Sequence, residues 1–270
     1  MNHLLREKAP ISDDAWGEIT EEATSSLRSF LAARRIVDVE APKGWTHAAE
    51  PTGRIERIDG PEDLEVAAKV RGVQPLVEFR TPFVLQRAEL EAIDRGACDA
   101  DLDPVRFAAK RAAMAEDRAT IHGFTAGGIT GIAPASPHEP VLIGDDYDAY
   151  PSFVAAATSR LKLAGVSGPY VLAIGPRCYQ GVLEQSEMGG YPVLEHLKLI
   201  LGGGPVVFAP GIDGALVISQ RGGDVELVLG QDFALGYLDH DRDAVELYLE
   251  ESFTVKVCAA EAAVHLTYGD

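Results

Sequence analysis

Apolar positions recur at a period of three to four residues near the N-terminus and in the middle of the chain, and at a period of two toward the C-terminus. From Asp13 to Arg35, Trp16, Ile19, Ala23, Leu27, Phe30 and Leu31 fall on one stripe, with Ser12 or Asp13 as the N-cap. Asp13, Asp14 and Glu18 crowd the first turns and Arg34 and Arg35 the end, as the helix dipole favours. The spacing predicts one long amphipathic helix, then a short strand at Ile36 to Glu40 and a turn at Pro42 to Trp45. From Ala48 to Val73 the pattern changes: Gly53, Gly60, Pro61 and Gly72 punctuate short alternations rich in charge. This predicts an extended hairpin outside the core. A lone two-stranded hairpin is marginal in water, so it needs a partner surface.

Leu76 to Phe83 reads as a strand and Leu85 to Ile93 as a short helix that stops at Gly96. Pro104 to His122 reads as a longer helix, with Asp103 as N-cap and Gly123 as its stop. Glycine and proline recur between Gly127 and Pro151, as at a domain junction. Beyond it, helices are predicted at Phe153 to Ala164, Pro176 to Glu187 and Pro192 to Leu201. Strands are predicted at Tyr170 to Ile174, Pro205 to Phe208 and Ala215 to Ser219. From Asp224 onward, alternation in Val225–Leu229, Val245–Leu249, Phe253–Val257 and Val264–Tyr268 predicts half-buried antiparallel strands. The fold class is α+β, with a mixed centre set between an N-terminal helix and a C-terminal sheet.

Composition narrows the partners. The 42 acidic against 24 Lys and Arg residues leave a formal charge of -18, which repels phosphate backbones and anionic lipid. No nucleic-acid or membrane partner is expected, and no apolar run reaches the ~20 residues of a membrane helix. Cys98, Cys178 and Cys258 form no CxxC pair, which fits a reducing cytoplasm rather than a disulfide framework. The N-terminal stretch lacks the apolar region of a signal peptide.

Candidate chemistry is sparse. Asp239, Asp241, Asp243 and Glu250 echo a calcium loop, but Ala244 stands where the sharp turn requires glycine, so a solvated acidic turn is expected. Asp145, Asp146 and Asp148 read as a surface loop. The seven histidines form no HxH, HxxxH or HExxH set, Gly202-Gly203-Gly204-Pro205 lacks the Lys of a phosphate loop, and there is no GxSxG elbow. No metal, no catalytic residue and no enzyme activity are expected.

Ordered blocks span nearly the whole chain: Ala9-Pro10-Ile11 with Trp16 and Ile19; Arg34 to Val39 followed by Pro42, Gly44 and Trp45; and Gly168-Pro169-Tyr170. Later come Arg221-Gly222-Gly223-Asp224, Leu229 to Asp232, Gly236-Tyr237 and Glu251 to Thr254. In these the chain resembles the encapsulins, also called linocin-like bacteriocins. The resemblance implies an HK97 phage-capsid-like fold. Residues 1–47 would hold the N-terminal helix and the start of a peripheral domain, and 48–73 an extended E-loop. Residues 74–131 would continue the peripheral domain with its spine helix, 132–220 would form an axial domain, and the strands of 221–270 would return to the peripheral domain. Identical chains in one equivalent environment with icosahedral symmetry close at sixty copies.

The resemblance further implies a self-assembling shell around a cargo enzyme, a dye-decolourising peroxidase or a ferritin-like protein, held by the cargo's C-terminal peptide. The peptide groove would use Leu27, Phe30, Leu31, Arg34, Ile36 and Asp38, with Phe233, Leu235 and Tyr237 opposite. Apolar pockets would anchor the peptide, and Arg34 or Asp38 would fix its register. A pore loop would use Glu184, Glu187, Gly189, Gly190 and Tyr191, where rings of carboxylates favour cations. No cofactor is expected: where some relatives stack a flavin on tryptophan, this chain has Ala88. The competing functions are a hydrolase or bacteriocin-like antibacterial factor, and a phage-derived capsid that packages nucleic acid.

Overall fold

The computed structural model describes residues 3–61, 65–144, 146–184 and 192–269. Helix α1 (Asp13–Phe30) opens on Ser12, whose Oγ accepts the Ala15 amide at 3.1 Å. It ends earlier than its pattern predicts, because Ala32 to Arg35 fold into a tight turn held from outside the helix. Strand β1 (Asp38–Val39) follows, then β2 (Ala49–Ile58), β3 (Ala68–Pro75), β4 (Val77–Gln86) and α2 (Arg87–Asp94). Helix α3 (Asp103–His122) begins where expected, but its N-cap is Leu102 with no side-chain cap, and Asp103 instead donates its amide to Asp101 at 3.0 Å in the preceding turn. The central region contributes α4 (Ile132–Ala135), β5 (Val141–Ile143), α5 (Tyr150–Leu163), β6 (Tyr170–Ile174), α6 (Pro176–Glu184), α7 (Val193–Ile200), β7 (Val206–Phe208) and β8 (Ala215–Ser219). The chain closes with β9 (Val225–Leu229), β10 (Ala234–His240), β11 (Ala244–Val257) and β12 (Ala263–Tyr268).

The strands form two five-stranded sheets and a separate hairpin. In the first sheet, β11 carries β4 along one edge, and β9 and β10 pair with successive stretches of it; β1 adds to β9 in parallel. The second sheet runs β5-β12-β8-β6-β7. Strand β12, grouped from sequence with the other strands of 221–270, pairs here rather than with β9–β11: Val264 and Leu266 pair with β8, and Leu266 to Tyr268 with β5. Alternation shows that a segment is a strand, whereas the sheet it joins depends on which apolar surface receives it.

Each face of the second sheet has its own cover. Tyr170, Leu172, Ile174 and Val217 point into a core with α5, α6 and α7, while Val171, Ala173, Leu216 and Ile218 face Leu227, Leu229, Phe253 and Val255 of the first sheet. The third core joins α1, α2 and the first half of α3 to β4, β10 and β11 through Trp16, Ile19, Leu27, Phe83, Leu235 and Leu247. Helix α3 therefore runs along the packed face of β11 past two cores.

Strands β2 and β3 pair only with each other and project with Ile55, Val70 and Val73 exposed. The arm is tied at its base, where the Leu76 amide donates to the Ala48 carbonyl and Gln74 Nε2 to that of Gly128.

Candidate functional site

The residues expected to form the groove divide into two neighbouring surfaces. Leu27, Phe30 and Leu31 at the end of α1 share one cluster with Phe233, Leu235 and Tyr237 of β10 and the turn before it. Leu27 and Leu235 are buried, whereas Phe30, Leu31, Phe233 and Tyr237 remain half-buried and form an open apolar shelf. The Lys110 ammonium sits 5.3 Å from the centre of the Phe30 ring. Tyr237 Oη lies 2.5 Å from His240 Nδ1, and the Tyr237 amide donates to the Leu4 carbonyl, so the segment before α1 also braces β10.

Arg34, Ile36 and Asp38 belong to the second surface. They line a polar cleft of about 290 Å³ with Arg35, Pro169, Gln220, Gly222 and Asp224. Ile36 is buried in the core between the two sheets, apart from the shelf. Asp38 Oδ2 accepts the Gly223 amide at 2.6 Å. That contact uses the Arg221 to Asp224 turn, where Gly222 and Gly223 have φ of 84° and 77°, the left-handed region that favours glycine, and Arg221 grips the Asp224 carboxylate.

Arg34 lies between the two surfaces. Its Nε donates to both Glu116 oxygens at 3.0 and 2.9 Å and its Nη2 to Glu116 Oε2 at 2.6 Å. Nη1 reaches Asp232 at 2.7 Å, Nη2 reaches Glu251 at 3.3 Å, and the guanidinium lies 4.9 Å from the centre of the Phe233 ring. Burial disfavours the charge on Arg34, but its bonds to Glu116 more than offset this and raise its pKa. Next to Glu116, Asp117 accepts the Ala32 amide at 3.0 Å and the Ala33 amide at 2.7 Å, which is what closes the turn after α1. Burial raises the Asp117 carboxyl to about 7, against the pull of the Ala33 amide and with a further push from Glu116. Glu251, wholly buried, is raised well above the usual carboxylate range by burial and then by the Glu116 charge.

Glu116, Asp117 and Glu251 were not singled out as site residues from sequence, although each carries a signal. Along β11, Val245, Leu247, Leu249, Phe253 and Val255 share one face, and Glu251 interrupts that series. On α3, Glu116 continues the buried stripe of Ala108, Ala109, Ala112 and Ala113. A carboxylate at a core position demands a cation.

Of the pore-loop residues, Glu184 is exposed at the end of α6 and accepts Gln180 Nε2 at 2.9 Å. Glu187, Gly189, Gly190 and Tyr191 lie outside the described residues. Asp239, Asp241 and Asp243 are exposed at the turn between β10 and β11, where Asp241 accepts the Asp243 and Ala244 amides at 2.8 Å each, whereas Glu250 is wholly buried in β11 and engaged by Arg80. No group of three metal-binding side chains occurs among the described residues, and no described helix is long and apolar enough to cross a membrane.

The sequence profile of Linocin_M18, described as an encapsulating protein for peroxidase, matches residues 1–254. The chain belongs to this family. It is 50% identical to the type 1 encapsulin shell protein of Rhodospirillum rubrum, over 98% of this chain and 96% of that one. It is 45% identical to the type 1 encapsulin shell protein of Mycolicibacterium paratuberculosis, over 99% and 100%. Its fold matches the virus-like particle from Pyrococcus furiosus with a TM-score of 0.65 at 18% identity, covering 92% of this chain and 98% of that one. It matches the capsid of Myoviridae phage XM1 with a TM-score of 0.56 at 11% identity, over 86% and 90%. The architecture is therefore the HK97-like capsid fold. The protein is an encapsulin shell protein and not an enzyme.

Proposed function

We propose that sixty copies of this encapsulin close an icosahedral shell in the cytoplasm around a peroxidase or a ferritin-like enzyme, captured by a C-terminal segment. The observation that carries the capture site is the shelf of Phe30, Leu31, Phe233 and Tyr237, left half-open beside the closed core of Leu27 and Leu235. Aromatic side chains around a partly desolvated hollow are the usual anchors for a short peptide. Arg34 is spent on Glu116, Asp232 and Glu251, so its part in recognition is to hold Phe233 and the turn before β10 in place. Arg35, exposed at the rim of the adjoining cleft, is the charge available to the guest.

Ala88 is exposed on α2 and offers no ring for a flavin, in keeping with a container whose chemistry belongs to its guest. Phe30→Asp tests the shelf: particles of wild-type size should form without guest enzyme. Undiminished co-purification of guest would exclude the shelf as the capture site.

A further inference from the structure

One guanidinium touches three carboxylates, Glu116 of α3, Asp232 of the β9–β10 turn and Glu251 of β11, and Asp117 lies beside Glu116. Glu116, Asp117 and Glu251 are wholly buried. Among the described residues no second cation contacts the cluster: Lys110 faces Phe30, Arg111 donates to the Pro82 carbonyl, and Gly211, packed on Asp117, has no side chain. Three wholly buried carboxylates, with the partly exposed Asp232 beside them, share one arginine, and the uncompensated charge is relieved when the buried groups retain protons. The geometry shows where one would sit. Glu251 Oε1 is buried with no donor facing it, and burial and the Glu116 charge both favour a proton on Glu251.

Both ends of the cluster bear on the turn after α1. Asp117 holds the Ala32 and Ala33 amides, and Arg34 follows directly. We propose that this cluster is a pH-sensitive latch: protonated, it fastens the Ala32–Arg35 turn to α3 and β11, and alkalinisation loosens the turn and with it the end of α1 and the Phe30 shelf. The link to the shelf rests on the capture site proposed above; the latch itself does not.

The sign follows from linkage. A carboxyl raised to about 7 in the closed turn, and ordinary in the open one, favours closure fully below the ordinary carboxylate range and loses that contribution as pH rises to about 7. For this one group, the open fraction grows about tenfold between pH 6 and 8.5, and a contribution from Glu251 adds to it.

The test is amide hydrogen exchange on assembled shells at pH 6 and 8.5, corrected for intrinsic rates. Protection of residues 32–36 should fall about tenfold or more in the wild type, while that of β6 stays constant. The Asp117→Asn/Glu251→Gln double variant, which mimics the protonated cluster, should be flat. Unchanged protection of residues 32–36 in the wild type would overturn the latch, as would an equal fall in β6 or in the double variant. The wild-type comparison stands even if that variant does not assemble. Exchange needs no guest, so its outcome is independent of the loading result for Phe30→Asp.

Discussion

Arg34→Met keeps a side chain of similar reach while removing the one positive charge that the described residues bring to Glu116 and Glu251. The penalty comes from what is left behind. Breaking a buried ion pair by deleting one partner costs about 3–5 kcal/mol, because the remaining charge is stranded in low dielectric. Here two wholly buried carboxyls lose their cation; burial already favours the neutral form of Glu251, so the charge stranded by the substitution is chiefly that of Glu116. At about 2.1 cal/mol/K of unfolding entropy per residue, 270 residues give ~0.57 kcal/mol/K, so the melting temperature should drop by roughly 5–9 °C. The assay is a melting curve of purified shells at one scan rate, run on wild type, Arg34→Met and Arg34→Met/Glu116→Gln. Since Glu116 makes the closest contacts to the guanidinium, neutralising it should return several degrees. A single variant that melts within 1 °C of wild type would refute the reasoning, and so would a double variant that melts lower still.

Other substitutions test other levels of the fold. Gly236→Ala places a Cβ 2.1 Å from Cζ of Tyr248, its cross-strand partner, so β10 should be destabilised by about 1–3 kcal/mol, visible as a lower melting temperature. Ser12→Ala removes the cap of α1 and should cost about 1 kcal/mol by the same measurement. His122 and His265, with rings 5.5 Å apart, both have pKa values lowered, chiefly by burial, so their contribution is present above the ordinary histidine range and lost as pH falls. His265→Gln should flatten that loss in melting curves taken from pH 6.5 downward. Ile55→Asp combined with Val73→Asp should leave the subunit folded but prevent particle formation, read by size-exclusion chromatography.

Much of the fold was legible where one local rule decides. Strands β6 and β8 fall on the residues that their apolar runs predict, and the stripe of α1 places Trp16, Ile19 and Leu27 in the core. Strand β11 read as two segments because Glu251 and Ser252 interrupt the alternation; the structure makes it one strand by supplying Arg34 to the glutamate. Strand β10 was missed as an element. Gly236 and the register shift between Tyr237 and Asp239 hide its period; Phe233, Leu235 and Tyr237 were named only through the family resemblance. Spacing put Leu27, Phe30 and Leu31 on one apolar stripe, but the partners of Arg34 lie 82, 198 and 217 positions away, a distance at which spacing carries no information.

The β2–β3 arm means that a lone subunit is chemically incomplete. Each of its strands has one outer edge of amides and carbonyls that no strand in the described chain covers, and its apolar side chains face water. In the shell proposed above the arm would gain its missing contacts from a neighbouring subunit, so part of the folding free energy would be collected at association and depend on concentration. Assembly should then show a threshold, with few small oligomers below it. Disassembly on dilution should lag behind, because a subunit leaving a closed shell must give up its own arm's contacts and those of the arms resting on it.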